Sequence, residues 1–362
     1  MEMVTSALIN AQHLASAAEA RLLIAISFHF VKARLVYLDK VLQTLAAFPV
    51  RRRDIVVFTN TTDNAEQESL RQVFRNAGLV DGRDARLSVE TALAHPFNLT
   101  WAHKRLISGA FLAPDSPYSH FAYLEDDEQL TLENFAYFLA AREILRPFDN
   151  LVPAFLRTEW SDKRGCSVNT DNTAPIMLGQ RPFISHGDYA FVAADNPYCG
   201  GFILDQELGR EYVNSRSFDL KRSRTVNREV HNFGVRERAA MGLTFENPPV
   251  PFIYRVVVPV AMSSRLAPHC ALLAHLPNNY ADHPIYPHGK IAMTDLFAGN
   301  FKAENEVALS SFNSTKQKRV RSNHRVRSGF QAMWRGIIIN IIDSLRRVKR
   351  MIWGPATPKR DS

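Results

Sequence analysis

His120-Phe121-Ala122-Tyr123-Leu124-Glu125-Asp126-Asp127-Glu128-Gln129-Leu130 is the stretch on which the reading of this chain turns. A short apolar run ends in four consecutive acids, and Leu130-Thr131-Leu132-Glu133 then opens a helical pattern. The run is brief and aromatic, the mark of a buried strand. Carboxylates at the carboxyl end of such a strand lie where open α/β sheets place ligands. Four neighbouring acids repel one another, and a divalent cation would offset that repulsion. Oxygen-rich ligand sets suit hard ions such as Mg2+ or Mn2+. The plain alternative is a solvated acidic turn whose carboxylates favour the dipole of the next helix. On the tetrapeptide alone the two readings stand level, because short motifs recur by chance.

Upstream of this stretch, strand and helix patterns alternate. Leu22 to Phe28 is a continuous apolar run but for Ser27, as in a central strand covered on both faces. Leu35, Leu38, Val41, Leu42 and Leu45 recur at helical spacing. Asp54 to Asn60 is a second buried strand, and Asp63 can cap a helix from Glu66 to Ala77 that Gly78 stops. Arg86 to Thr91 is a third strand, and a helix is expected over Trp101 to Phe111. The acid-tipped strand is the fourth, followed by a helix from Leu132 to about Leu145. This is the pattern of a mainly parallel sheet flanked by helices. Its polar strand ends, Ser27, His29, Asn60, Asp63 and Thr91, gather on one edge. No Gly-x-Gly-x-x-Gly follows the first strand and no Walker loop occurs, which disfavours dinucleotide and P-loop enzymes.

From 151 the texture changes. Residues 161–200 are rich in Asn, Asp, Gly and Pro and read as long loops, which are more often functional than idle. Tyr198-Cys199-Gly200-Gly201 is a tight turn feeding a strand; paired glycines suit either a substrate platform or a plain turn. Arg228 to Leu243 is expected to be helical and carries Glu229 and Glu237. His275, His283 and His288 lie in a later segment without helical order.

Charge is unevenly spread over the 362 residues. From Lys316 onward there are thirteen Lys or Arg against Asp343 and Asp361, so the other 315 residues carry −3 of the total +8. Residues 301–328 read as a linker. Phe330 to Trp353 reads as a basic amphipathic helix suited to an anionic membrane surface, the alternative being a helix docked on the body or a partner. No nucleic-acid module accompanies the charge, and no nucleic-acid partner is expected. Three scattered cysteines, an amino terminus without a secretory pattern and no apolar run long enough to span a bilayer point to a cytoplasmic protein with peripheral contact at the inner membrane face.

The strand–helix order, Leu124-Glu125-Asp126-Asp127-Glu128 after an apolar strand, and the preceding Pro96-Phe97-Asn98-Leu99-Thr100-Trp101-Ala102-His103-Lys104 together resemble a GT-A-fold glycosyltransferase. The Glu-Asp-Asp form of the Asp-x-Asp motif is similar to that of N-acetylglucosaminyltransferases and exostosin-like enzymes. The resemblance covers about residues 22–295. It implies a GT-A-like, Rossmann-like domain over 1–300, with a nucleotide-sugar half (22–150), an acceptor half (151–300), and the tail 301–362 outside it. It further implies a UDP-sugar donor with Mn2+ or Mg2+ and a glycan or lipid-linked acceptor in cell-surface polysaccharide synthesis. Asp127 would bind the metal, with His275 or His288 as a late ligand. Glu125 and Asp126 would contact the ribose or the metal's water shell, and Glu128 would be only the first-turn acid of the next helix. Ser27, His29, Asn60 and Asp63 would hold base and ribose, and Lys104 would reach the diphosphate. Tyr198, Gly200 and Gly201 would form the acceptor platform, and Glu237, then Glu229, would serve as general base. Two other classes compete: a nucleotidyltransferase, whose basic Gly-rich loop is missing at Ser27-Phe28-His29-Phe30, and a non-catalytic membrane-associated protein that keeps the fold.

Overall fold

Helix α1 (Ala11–Ala18) is capped by Asn10, whose side chain accepts from the His13 amide. Strand β1 (Arg21–Phe28) is buried at every residue after Arg21, as a strand covered on both faces must be. Helix α2 (Leu35–Ala46) buries Leu38, Val41, Leu42 and Leu45, one apolar stripe at helical spacing. Strand β2 (Arg52–Thr59) follows. In helix α3 (Asn64–Asn76) the amides of Ala65 and Glu66 donate to the capping Asp63 carboxylate. Strand β3 (Ala85–Val89), the short helix α4 (His103–Leu106), β4 (His120–Glu125), the two-residue β5 (Glu128–Gln129) and helix α5 (Leu132–Leu145) complete this half. The computed structural model describes residues 8–149 and 151–310, so the basic linker and the amphipathic stretch Phe330–Trp353 lie outside the described residues.

The main sheet has the order Gly201–Asp205, β4, β1, β2, β3. The four β strands run parallel, and Gly201–Asp205 pairs antiparallel to β4. It is the mixed, mainly parallel sheet flanked by helices that the apolar runs imply. Parallel direction brings the carboxyl ends of β1 and β4 together, with Ser27 the register partner of Glu125.

A second sheet is built from Ile291–Ala292, Cys166–Asn169, Leu156–Ser161, Leu272–His275 and β5. Strand β5 joins it through Ala274↔Gln129 and His275↔Glu128, antiparallel. This short strand couples the two sheets: the acid turn leaves β4 and immediately pairs with the strand that ends in His275. A third sheet (Phe183–His186, Tyr189–Val192, Val256–Ala261, Val152–Pro153) covers a separate apolar cluster that includes Leu178, Val192, Val260 and Leu296.

Three local expectations are corrected. The segment Trp101–Phe111 is not one helix but a 3-10 turn (Pro96–Trp101), α4 and a π turn (Ile107–Phe111). Arg228–Leu243 forms two short helical turns, Glu229–Asn232 and Val235–Ala239, parted by Gly234. Glu128 is not in the first turn of a helix. It is a fully buried residue of β5, and α5 is capped instead by Thr131 and Asn134 in a reciprocal pair. Among the described residues no helix is long and apolar enough to cross a membrane.

Candidate active site

At the carboxyl edge of β1 and β4 a cavity of about 700 Å³ is lined by Ser27, His29, Arg34, Glu125, Asp126, Asp127, Arg157, Asp171, Tyr198, Glu237, His275, Tyr280 and His288, among others. Its size lies within the range of small-molecule sites. Its floor is formed by Glu125, Asp126 and Asp127 of the acid turn, whose four acids are held by Tyr198, Arg34, His275 and Arg157.

Glu125 accepts from the Tyr198 hydroxyl at 2.7 Å. Burial and the neighbouring Asp127 charge raise its carboxyl to about 7. Asp126 receives Arg34 through Nε at 2.8 Å and Nη2 at 2.9 Å, a two-point grip. Burial still raises Asp126 to about 6. Asp127 accepts from Arg34 Nη2 at 2.7 Å and lies 3.3 Å from His275 Nε2. Burial pushes this carboxyl up, but His275 and Arg34 outweigh it and hold Asp127 near 2. Glu128 meets Arg157 Nη1 at 3.0 Å, and burial pushes it well up against the pull of Arg157 and His275.

His275 is the pivot. Its Nδ1 is 2.5 Å from Glu159 Oε1, so Nε2 faces Asp127. Glu159 is itself fastened by the amides of Asn279, Tyr280 and Ala281 at 3.0, 2.8 and 2.6 Å. Burial opposes a charged imidazole, but hydrogen bonds to Asp127 and Glu159 raise His275 to about 9. A carboxylate that orients a histidine in this way is the usual outer support of a metal ligand.

Asp127, Glu128 and His275 each offer one ligand atom within 4.8 Å of the others, and all three are buried. Asp127 Oδ1 and Glu128 Oε2 are buried without a hydrogen-bond partner. Orphaned buried carboxylate oxygens are costly, and a cation would satisfy both. Two carboxylates and an imidazole suit Mn2+, which accepts nitrogen and oxygen, better than Mg2+. The residues present therefore fit a divalent ion, with Asp127 and His275 joined by Glu128, which was not expected as a ligand.

The remaining expected residues divide. Ser27, His29, Tyr198, Glu237 and His288 line the cavity; Asn60, Asp63, Lys104, Gly200, Gly201 and Glu229 do not. Asn60 accepts from the Phe30 amide and Asp63 caps α3, so both hold backbone rather than face the cavity. Lys104 is enclosed: its Nζ stands 3.9 Å from the Tyr212 ring centre and 4.9 Å from that of Trp101, and bonds the Ser217 carbonyl at 3.4 Å. Burial lowers its ammonium well below the usual lysine range. Gly200 and Gly201 do allow a close approach, but to the protein itself. A Cβ on Gly200 (φ +72) would stand 2.6 Å from Glu128 Cγ, and one on Gly201 would stand 2.5 Å from the Tyr123 carbonyl oxygen. His288 lies outside the three-ligand group.

No family model matches this chain, and no curated protein does. Solved structures do. Staphylococcus aureus TarS, residues 1–349, is similar at 12% identity and a TM-score of 0.33, over 61% of this chain and 56% of that one. The mannosyltransferase PcManGT of Pyrobaculum calidifontis, in complex with GDP-Man and Mn2+, is similar at 11% identity and a TM-score of 0.24, over 40% and 37%. This chain thus spans little more than half of the first and about a third of the second. At these levels neither match bears on function.

Sequence reasoning passed over Arg34, Arg157, Glu159 and Asp171. Arg157 bonds Asp171 at 2.6 Å as well as Glu128, and its guanidinium lies over the Tyr198 ring at 4.9 Å. A signal did exist for two of them. Arg157 and Glu159 are charges two apart in one strand, so they share a face. Two charges on one face of an inner strand call for buried partners. Arg34 gave no signal, since a lone arginine beside Lys32 reads as a solvated helix end.

Proposed function

We propose that this protein is a metal-dependent glycosyltransferase of GT-A type that moves a sugar from a nucleoside diphosphate to an acceptor hydroxyl. One observation carries the reading: buried Asp127, Glu128 and His275, two of them with orphaned oxygens, meet at the ligand-binding edge of a mainly parallel sheet, and Asp127 and His275 line the cavity there. Asp127, Glu128 and His275 would hold the cation, and a cation bound there supplies positive charge for the departing diphosphate.

The chain's own residues account for the rest. Arg34 and Arg157 bring fixed positive charge to a cavity that three or four carboxylates would otherwise make hostile to phosphate. Glu159 and the Asn279–Ala281 amides hold His275 in one orientation. Ser27 and His29 lie beside the acid turn, where base and ribose would rest. Glu237 lines the same cavity and is the candidate base for the acceptor proton; Glu229, outside the lining, is not proposed. A UDP-sugar is the proposed donor, a cell-surface glycan or lipid-linked saccharide the proposed acceptor, and the basic tail a proposed peripheral membrane contact. A nucleotidyltransferase would need a basic phosphate loop after β1, and His29-Phe30-Val31 is not one.

Isothermal titration of UDP-sugars with and without Mn2+ tests the reading. The expected result is nucleotide-sugar binding that requires Mn2+ and weakens at least tenfold in Asp127→Asn. Binding that ignores both the metal and Asp127 would overturn it.

A further inference from the structure

One wall of the cavity, around Phe97, has a different character. Phe97 there and Tyr286 elsewhere in the lining remain 47% and 49% exposed, large apolar rings left in solvent at a ligand site. Arg236, on the same wall, lies over the Phe97 ring at 4.7 Å. The turns are locked together here: Trp101 Nε1 donates to the Val235 carbonyl at 2.9 Å.

Leading away from this wall, the surface is cationic. The turn Arg222–Thr225 packs against Glu229–Asn232, and Arg238 Nε bonds Ser223 Oγ at 3.2 Å. Lys221, Arg222, Arg224 and Arg228 are all exposed there. Among the described residues no carboxylate lies within ion-pair distance of these four side chains, although Asp219 Oδ1 accepts from the Lys221 and Arg222 amides at 2.9 and 2.7 Å. The contrast with the body is strong, since the chain before Lys316 carries a net −3. Like charges outnumber the local carboxylates Asp219, Glu229 and Glu237 and repel one another, and an anionic partner would relieve that.

We propose that this wall and the cationic turns form the acceptor track, and that the acceptor is an acidic glycan. The rings of Phe97 and Tyr286 offer flat apolar faces for sugar rings. Arg236, Arg228, Arg224, Arg222 and Lys221 offer donors for the acid groups that recur along such a chain. A membrane surface fits less well, because these cations sit on short turns beside a cavity mouth and not on an amphipathic helix. A nucleic acid would be met by the same charges and is one arm of the test. The proposal rests on the transferase reading for the word acceptor, but not for the binding surface.

Hydrogen exchange on the full chain tests it, with four probes at equal charge or length: an oligouronate, a neutral oligosaccharide, anionic phosphatidylglycerol vesicles and a single-stranded oligonucleotide. The oligouronate is expected to slow exchange over 216–238 and around Phe97, and the neutral oligosaccharide is not. The variant K221Q/R222Q/R224Q/R228Q is expected to bind the oligouronate about tenfold more weakly at this surface, the sum of four weak exposed ion pairs. Its Mn2+ and UDP titrations are expected to match the wild type. Oligouronate protection confined to 316–362, or equal protection by the neutral oligosaccharide, would overturn the proposal. So would stronger protection of 216–238 by vesicles or oligonucleotide than by oligouronate. Failure of UDP and Mn2+ to bind, with 216–238 still protected, would instead remove the transferase reading and leave the surface standing.

Discussion

Arg34 Nη2 lies 2.7 Å from Asp127 Oδ2, so a guanidinium already occupies one oxygen of the candidate metal ligand. The same side chain grips Asp126 at 2.8 and 2.9 Å, and about a third of it stays exposed to the cavity. Burial opposes the charged guanidinium, but these contacts outweigh it and raise Arg34 further above its already high range. Arg34 and a divalent ion therefore compete for Asp127. Arg34→Gln is expected to bind Mn2+ several-fold more tightly without nucleotide, and to bind UDP several-fold more weakly once Mn2+ is present. Electron paramagnetic resonance of Mn2+ measures the first effect and calorimetry the second; weaker Mn2+ binding in the variant would refute the competition.

Glu159 does not line the cavity, yet it orients His275 and carries three backbone amides. Glu159→Gln keeps the shape and removes the charge. Changes to such supports typically reduce metal affinity by about 10- to 100-fold. Direct Mn2+ titration is the check, with circular dichroism to confirm the fold. An affinity equal to wild type would mean that His275 is not a ligand.

Gly200 is a steric requirement of the acid turn. Its φ is +72, and an added Cβ would meet the buried Glu128 side chain at 2.6–2.9 Å. Gly200→Ala is expected to destabilise the protein by about 2–4 kcal/mol, combining a left-handed alanine with displacement of a buried carboxylate. Urea unfolding measures this, and a change below 1 kcal/mol would show that β5 can shift freely. The same substitution is expected to weaken Mn2+ binding, because Glu128 is one of the three ligands proposed.

His120 gives a pH dependence away from the metal group. Its ring stands edge-on to Phe135 and Phe138 at 5.2 and 6.1 Å, and burial lowers it to about 4 against the pull of Asp205. The folded value lies below the unfolded value of about 6.5, so folding favours the neutral ring. That stability is present above pH 6.5 and is lost as pH falls from 6.5 through 4. It corresponds to about 3 kcal/mol. His120→Gln is expected to flatten the unfolding free energy across that window. An unchanged slope between pH 6.5 and 4 would assign the acid loss to other groups.

Much of the fold was legible because its signals are local. Leu22–Phe28 reads as a central strand since a strand covered on both faces buries five apolar residues in a row, and β1 is buried over that whole run, Ser27 included. Asp63 and Gly78 marked the ends of α3 through capping chemistry and a left-handed residue, and both act so. Where local signals conflict with packing, the reading failed. Arg228–Leu243 contains good helix formers, but Gly234 interrupts it and the two turns pack separately. Lys104 carries a charge that sequence places in solvent, while Trp101, Tyr212 and Phe218 enclose it.

By itself the sequence determined the alternation of strands and helices, the position of the four acids at a strand end, and the crowding of basic residues after Lys316. These follow from spacing along the chain. The tertiary structure alone decided which acid does what. Glu128 and His275 are separated by about two fifths of the chain and become neighbours only because β5 pairs with Leu272–His275. Arg34, Arg157 and Glu159 acquire their partners in the same way, across folds of the backbone that no local pattern encodes. Burial then sets the charges apart, holding Asp127 low while raising Glu125 and Asp126, since desolvation and ion pairing depend on neighbours in space.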